Sequence, residues 1–215
     1  MKALLSTTYF GPVQWYQKLY RHEEVEIEQW ESFQKQTYRN RCLIATTQGV
    51  QALTVPVERK EESGKRKENT IKDMRISDHG NWRHLHWNAL MSAYGESPFF
   101  EYYQDDIRPF FEKRWDYLFD FNEAIREKMC ELLDIQPKVT FSSTYHHPAD
   151  ISLTSHLSPL TSDYREAIRP KHPLPDPDFE PKPYYQVYQQ KHGFLPNLSI
   201  LDLLFNMGPE GIFYL

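Results

Sequence analysis

Residues 196–208 form an apolar run that carries a single narrow polar strip. At about 100° per residue, Ser199, Asp202 and Asn206 fall within roughly 60° of one another, and Leu198, Ile200, Leu201, Leu203, Leu204, Phe205 and Met207 fill the rest of the circumference. This pattern predicts a largely buried helix, with Pro196 and Asn197 at its start and Gly208 as a left-handed stop. Three aligned polar groups on such a helix need partners. An internal hydrogen-bond set and a strip lining a ligand site both meet that need.

The amino-terminal pattern has a different rhythm. Ala3-Leu4-Leu5 is a short apolar run, broken at Phe10-Gly11-Pro12, where a helix can begin. Trp15, Tyr16, Leu19 and Tyr20 then share a helical face, and Val25 and Ile27 alternate with Glu24, Glu26 and Glu28 as a half-buried strand does. Strand, helix and strand in that order predict a βαβ unit with a parallel pair. Residues 42–46 and 50–57 flank Thr47-Gln48-Gly49 as a hairpin, with Pro56 marking a sheet edge or a strand end. The run 58–69 is almost wholly charged and reads as a solvated loop without chemistry. Ile71, Met74 and Ile76 predict a further short strand.

A helix is predicted over 81–94, with Trp82, Leu85, His86, Ala89, Leu90, Ala93 and Tyr94 on its inward stripe. An aromatic-rich stretch covers 99–111, a long amphipathic helix covers 115–133, and residues 139–141 return to the sheet. Residues 142–183 are rich in Ser, Thr, His and Pro, which favours a long extended wrap over helix or ladder. Residues 184–188 then read as a strand before the closing helix. The fold class that follows is α/β, a single domain over residues 1–215. Its sheet is mixed and mainly parallel, opened by the βαβ unit, with flanking helices and the proline-rich wrap.

Composition narrows the function. The 215 residues, 40% hydrophobic and 15% aromatic, are ample for one large core. A net charge of −5, from 25 basic and 30 acidic residues, gives no footprint for nucleic acid or an anionic membrane. No run approaches the length of a membrane span, and the two cysteines, Cys42 and Cys130, fit a reducing cytoplasm. Gly-x-Gly-x-x-Gly, Walker and Gly-x-Ser-x-Gly motifs are absent, which argues against dinucleotide, P-loop and hydrolase chemistry and leaves no cofactor indicated.

Candidate chemistry gathers in two places. Lys35, Tyr38, Arg39, Asn40 and Arg41, joined by Lys72, Arg83 and His84, suit a phosphate or carboxylate ligand, because charge-assisted bonds to guanidinium forks are the strong ones. The same cations could instead pair with the glutamates of residues 23–31. His86, on the apolar stripe, faces inward, where Asp73 or Asp202 could poise it for proton transfer; a satisfied core histidine is the alternative. His146, His147, Asp150 and His156 have ligand-like composition but no metal-binding spacing, so no metal is assigned.

Taken in order, Tyr38-Arg39-Asn40-Arg41, Leu53-Thr54-Val55-Pro56-Val57, Ile71-Lys72-Asp73, Asn81-Trp82-Arg83-His84-Leu85-His86, Pro98-Phe99-Phe100 and the stretch 196–206 resemble the signature of the WbqC-like family. That resemblance implies a role in bacterial surface-polysaccharide or O-antigen synthesis, as a transferase or biosynthesis protein. The Asn-Trp-Arg-x-x-His pattern is kept whole in Asn81, Trp82, Arg83 and His86. The family's early His-Gln-Pro is replaced here by Ser6-Thr7-Thr8-Tyr9. On this reading an activated anionic donor, a nucleotide-sugar or an acyl donor, binds to Lys35, Asn40, Arg41, Lys72, Trp82 and Arg83, with Ser199 and Asn206 orienting the acceptor. His86 with Asp73 or Asp202 moves the proton. A noncatalytic binding or assembly protein that keeps the same pocket is the second expectation. Either way the site is expected at the carboxyl ends of the first strands, where open α/β sheets bind ligands.

Overall fold

The computed structural model describes residues 2–58, 61–62, 65–66, 69–147 and 161–215. The first strand β1 (Lys2–Ser6), helix α1 (Val13–Arg21) and strand β2 (Glu24–Glu28) form the βαβ unit that the alternation predicts. β1 pairs with β2 in parallel, Lys2 opposite Glu24 through Ser6 opposite Glu28. Pro12 sits at the N-cap of α1, where a missing amide costs nothing.

Strands β3 (Arg41–Thr46) and β4 (Gly49–Thr54) form the expected antiparallel hairpin. Gly49 lies at φ 105°, a conformation that side chains disfavour, which is why a glycine follows the two-residue turn. Two-residue strands β5 (Glu61–Glu62) and β6 (Lys65–Arg66) pair within the charged run. The apolar triplet around Ile71 forms a 3-10 turn, Ile71–Asp73, rather than a strand, and only single bridges from Arg75 to Tyr117 and from Ile76 to Val57 are sheet-like.

Helices α2 (Trp82–Tyr94), α3 (Phe100–Ile107), α4 (Pro109–Glu112) and α5 (Leu118–Leu132) follow. On α2 the inward stripe is narrower than the spacing predicts. Trp82, His86, Leu90 and Ala93 are buried, whereas Leu85 is 60% exposed because it sits one position off that line. Between α2, α4 and α5 the rings of Phe10, Phe110, Phe111, Phe121, Trp82, Trp87 and Trp115 pack with edge-to-face and stacked geometries. Each such ring removes about 150–250 Å² from water, so this cluster dominates the core.

Strand β7 (Val139–Phe141) joins the outer side of β2 and strand β8 (Thr161–Asp163) the outer side of β1, both in parallel. The principal sheet therefore runs β7-β2-β1-β8, and its four strands end at one edge. Beyond it the chain passes through turns and irregular stretches as far as α6 (Gln189–His192), and residues 184–188 form no strand. They are tied instead by side chains: the Gln186 amide donates to the Leu195 carbonyl, and the Leu195 amide donates back to Gln186.

The closing helix α7 (Ile200–Met207) is buried, as its composition predicts, and Gly208 ends it at φ 56°. Its cap is Ser199 rather than Asn197, which turns left-handed at φ 55° and accepts the Gln14 amide, an exchange that joins α7 to α1. No described helix is long and apolar enough to cross a membrane.

Candidate functional site at the strand ends

Parallel strands deliver their carboxyl ends to one edge, so residues far apart in sequence meet there. β1 ends at Ser6, β2 at Glu28, β7 runs into Ser142, and β8 ends at Asp163. Glu28 knits three of these ends together although it is fully buried. One carboxylate oxygen accepts the Trp30 amide at 2.8 Å and the Ser142 hydroxyl at 2.6 Å; the other accepts the His146 amide at 2.8 Å and faces the Arg165 guanidinium at 3.8 Å.

Arg165 is the second organiser. Its fork grips Asp163 through Nε and Nη2 at 2.9 and 2.7 Å, Nη2 also donates to the His146 carbonyl, and the guanidinium lies over the Tyr145 ring. A parallel arrangement holds the neighbouring wall: Arg39 donates from Nε to Glu31 at 2.8 Å and from Nη2 to both Glu31 and the Ser6 hydroxyl. The Arg39–Glu31 pair is nearly dry, its side chains 3% and 6% exposed, whereas Asp163 keeps 21% of its side chain exposed beside Arg165.

Of these groups Glu31, Asp163 and Arg165 line a cleft of about 360 Å³, large enough for a small-molecule ligand. Trp30 and Tyr145 supply aromatic walls; Glu31, Asp163 and Glu166 supply carboxylates; His147 supplies an imidazole, its ring edge-on to Tyr145. Beneath it a hollow of about 10 Å³, close to one water molecule in size, shares Arg165 and is lined by Ser6, Thr8 and Arg39.

Lys72 touches one wall residue of this cleft without lining it, its ammonium 4.4 Å from the Trp30 ring centre. Lys35 is exposed in the loop that supplies Gln34 to the cleft wall. The remaining residues singled out by sequence lie elsewhere. Asp73 is exposed and accepts the Thr70 hydroxyl, and Arg41 donates to the Thr54 hydroxyl on the exposed side of the hairpin. Asn40 donates to the Val55 carbonyl, and the Trp82 indole to the Ser77 carbonyl. Arg83 pairs with Asp78.

Asp202 is fully buried and accepts from the Tyr94 hydroxyl at 2.9 Å, the Tyr184 hydroxyl at 2.7 Å and the Gln186 amide at 2.8 Å. Burial raises its pKa above the ordinary carboxylate value, and the three donors oppose that rise. Ser199 donates to the Phe10 carbonyl, and Asn206 donates to the Asp202 carbonyl and accepts the Val187 amide. The polar strip of α7 thus meets protein partners along its whole length. Neither hollow at the strand ends is lined by Arg41, His86 or Asp202.

His86 is buried against the Tyr9 hydroxyl, 2.9 Å from Nδ1. Burial pulls its pKa down to about 4, only partly offset by a hydrogen bond to the Thr54 backbone. The folded state therefore refuses a proton that the unfolded chain accepts near 6.5, so stability is lost as the pH falls from about 6.5 to about 4. The shift sets a ceiling of about 3 kcal/mol on that loss. Urea unfolding of the native protein and of His86→Gln at pH 7 and pH 4.5 should show about 2–3 kcal/mol more acid destabilisation in the native protein. Equal pH dependence in the two would refute the assignment.

Sequence reasoning missed Glu28, Glu31, Arg165, Asp163, Trp30 and Tyr145 as site residues, and weighed His147 only as a metal ligand. The usable signal was positional: Ser6 and Glu28 end adjacent parallel strands, where open sheets place ligands. Of the histidine-rich stretch, Asp150 and His156 lie outside the described residues, and among the described residues no group of His, Cys, Asp and Glu could hold a metal ion.

A family model described as the WbqC-like protein family matches residues 7–214. The chain belongs to that family. The chain is also similar to the uncharacterized protein Rv1507c of Mycobacterium tuberculosis, 28% identical over 197 residues that cover 85% of this chain and 83% of the relative. No solved structure matches. The family match begins at Thr7, directly after β1, so it takes in the loop toward α1 and every wall of the strand-end cleft, while Leu5 and Ser6 of the smaller hollow precede it.

Proposed function

We propose that the protein is a transferase of bacterial surface-polysaccharide synthesis whose reacting groups meet in the strand-end cleft. The observation that carries this reading is the placement of three carboxylates and an imidazole between two aromatic walls at the carboxyl edge of a parallel sheet. His147 is the group suited to take the proton from an acceptor, since its imidazole is the proton-accepting side chain on the cleft wall besides three carboxylates that are each paired with an arginine. The activated anionic donor, a nucleotide-sugar or an acyl donor, lies toward the rim. Lys72 stands there over Trp30, Lys35 beside Gln34, and Arg169 and Lys171 donate to Gln34 and Gln36. His86 and Asp202 serve this site indirectly, by fixing the loop after β1 and the closing helix.

A second reading, a noncatalytic binding protein, is favoured by one feature: Glu31, Asp163 and Glu166 are each paired with an arginine, which anchors them in place. A panel of nucleotide-sugars and acyl thioesters in thermal-shift and turnover assays separates the two. A donor at a hundred times its Kd should add about 2.7 kcal/mol, or roughly 5–10 °C in Tm for a chain of this size. For a transferase, His147→Gln should keep the shift and lose turnover by about 100-fold or more. Binding without turnover in the native protein would select the second reading, and no shift from any donor would sink both.

A further inference from the structure

Away from the sheet, α2 and α4 enclose a second cleft of about 300 Å³ lined by Arg83, His84, Arg108, Trp87 and Phe111, with Asp78 and Glu112 at its margins. Arg83 is the unusual member. Its Nη1 meets Asp78 at 2.6 Å and its guanidinium lies 4.7 Å from the centre of the Trp82 ring, so the side chain is held on two sides. The opposite edge of the fork, Nε and Nη2, is shielded from water and has no partner among the described residues. A guanidinium edge of this kind is built to donate two parallel bonds to a planar oxyanion, and left unmet it costs the full desolvation of two charged donors. A buried donor pair without an acceptor calls for a ligand or ordered water.

The surroundings select the sign of that ligand. Arg83, Arg108 and Arg114 supply three positive charges against the two carboxylates Asp78 and Glu112. Among the described residues the Arg108 side chain pairs with Glu112, and the two side chains are 56% and 58% exposed. Such a pair is weak and readily exchanges one acceptor for another. Trp87 and Phe111, 9% and 6% exposed, are the apolar wall, with ring centres 5.8 Å apart.

We infer that this cleft is an anion site separate from the strand-end cleft, in which Arg83, its shielded edge turned outward on binding, and Arg108 grip a carboxylate or phosphate group while Trp87 and Phe111 cover the apolar part next to it. The inference is independent of the transferase reading, because neither cation lines the strand-end cleft.

The test uses the full-length protein and three probes: benzoate, inorganic phosphate, and the neutral benzamide. Titration is followed on the Arg83 Nε–H signal by NMR and on tryptophan fluorescence. Saturable binding of benzoate or phosphate in the millimolar range is expected, at least tenfold tighter than benzamide. Arg83→Gln and the exposed Arg108→Gln should each weaken it by about fivefold or more, the latter with an unchanged melting temperature. Benzoate alone would mark the natural ligand as a carboxylate, and phosphate alone as a phosphate ester; both outcomes uphold the site. It is overturned if no anion moves the Arg83 signal saturably, if benzamide binds as well as benzoate, or if Arg108→Gln binds like the native protein.

Discussion

Replacing Asp202 with alanine should destabilise the fold by about 3–5 kcal/mol, because three buried donors lose their acceptor together and each unmet donor costs about 1–3 kcal/mol. The reason lies in what remains. The Tyr94 and Tyr184 hydroxyls and the Gln186 amide all aim at a carboxylate that is fully buried, and none reaches water once it is gone. Native domains are stable by only about 5–15 kcal/mol, so the loss is a large fraction of the total. Asp202→Asn keeps the volume and one carbonyl acceptor and should cost less, about 1–2 kcal/mol. The pH dependence carries its own sign. Because burial raises the Asp202 pKa, the folded state binds a proton more readily than the unfolded chain, and stability attributable to this group rises as the pH falls from the raised value toward 3.8. That is opposite to the His86 contribution. Urea unfolding of the two variants at pH 7 decides the matter: a cost below 1 kcal/mol for Asp202→Ala would mean that the three donors find other acceptors.

The same residue shows how far the sequence could be read. The helical spacing of Ser199, Asp202 and Asn206 identified a buried strip that needed partners, and the buried helix is there. Which partners it would meet depended on Tyr94, Tyr184, Gln186 and Phe10, and periodicity within one helix holds no information about groups packed on it from elsewhere. The βαβ opening was legible because Val25 and Ile27 alternate cleanly. Glu28 broke the alternation by being buried, and a carboxylate on an apparently exposed phase looks solvated until its donors arrive from Ser142, His146 and Arg165. Those donors follow β2 by more than a hundred residues, in serine-, histidine- and proline-rich chain without hydrophobic rhythm. For the same reason residues 184–188, apolar enough for a strand, are held by the Gln186 side chain instead of a ladder. Elements with internal periodicity could be read from the sequence, whereas a site assembled where four strands end could be located only by the general rule for parallel sheets.

Asp176→Ala should be nearly as damaging, and it connects stability to the site. In the proline-rich wrap, Asp176 accepts from the Lys18 ammonium at 2.8 and 3.0 Å and from the Gln14 amide at 2.8 Å, both on α1. The two side chains of the ion pair are 1% and 4% exposed, and Lys18 also lies 4.4 Å from the centre of the Tyr164 ring. Removing the carboxylate strands an ammonium in the interior, at a cost of about 3–5 kcal/mol. The wrap that Asp176 pins begins at Tyr164 and delivers Arg165 and Glu166 to the strand-end cleft, with the Leu174 amide bonded back to the Glu166 carbonyl. Loosening it should therefore speed proteolysis within residues 170–183 and weaken any ligand bound at the strand ends by more than the global loss alone explains. The double change Lys18→Met with Asp176→Leu should recover most of the stability, because a buried pair replaced by apolar groups of similar volume is often neutral or better. Limited proteolysis and urea unfolding of the single and double variants provide the check. If Asp176→Ala unfolds within 1 kcal/mol of the native protein, or if the double variant is no more stable than the single, the wrap is not held by this pair and its link to Arg165 must run through other contacts.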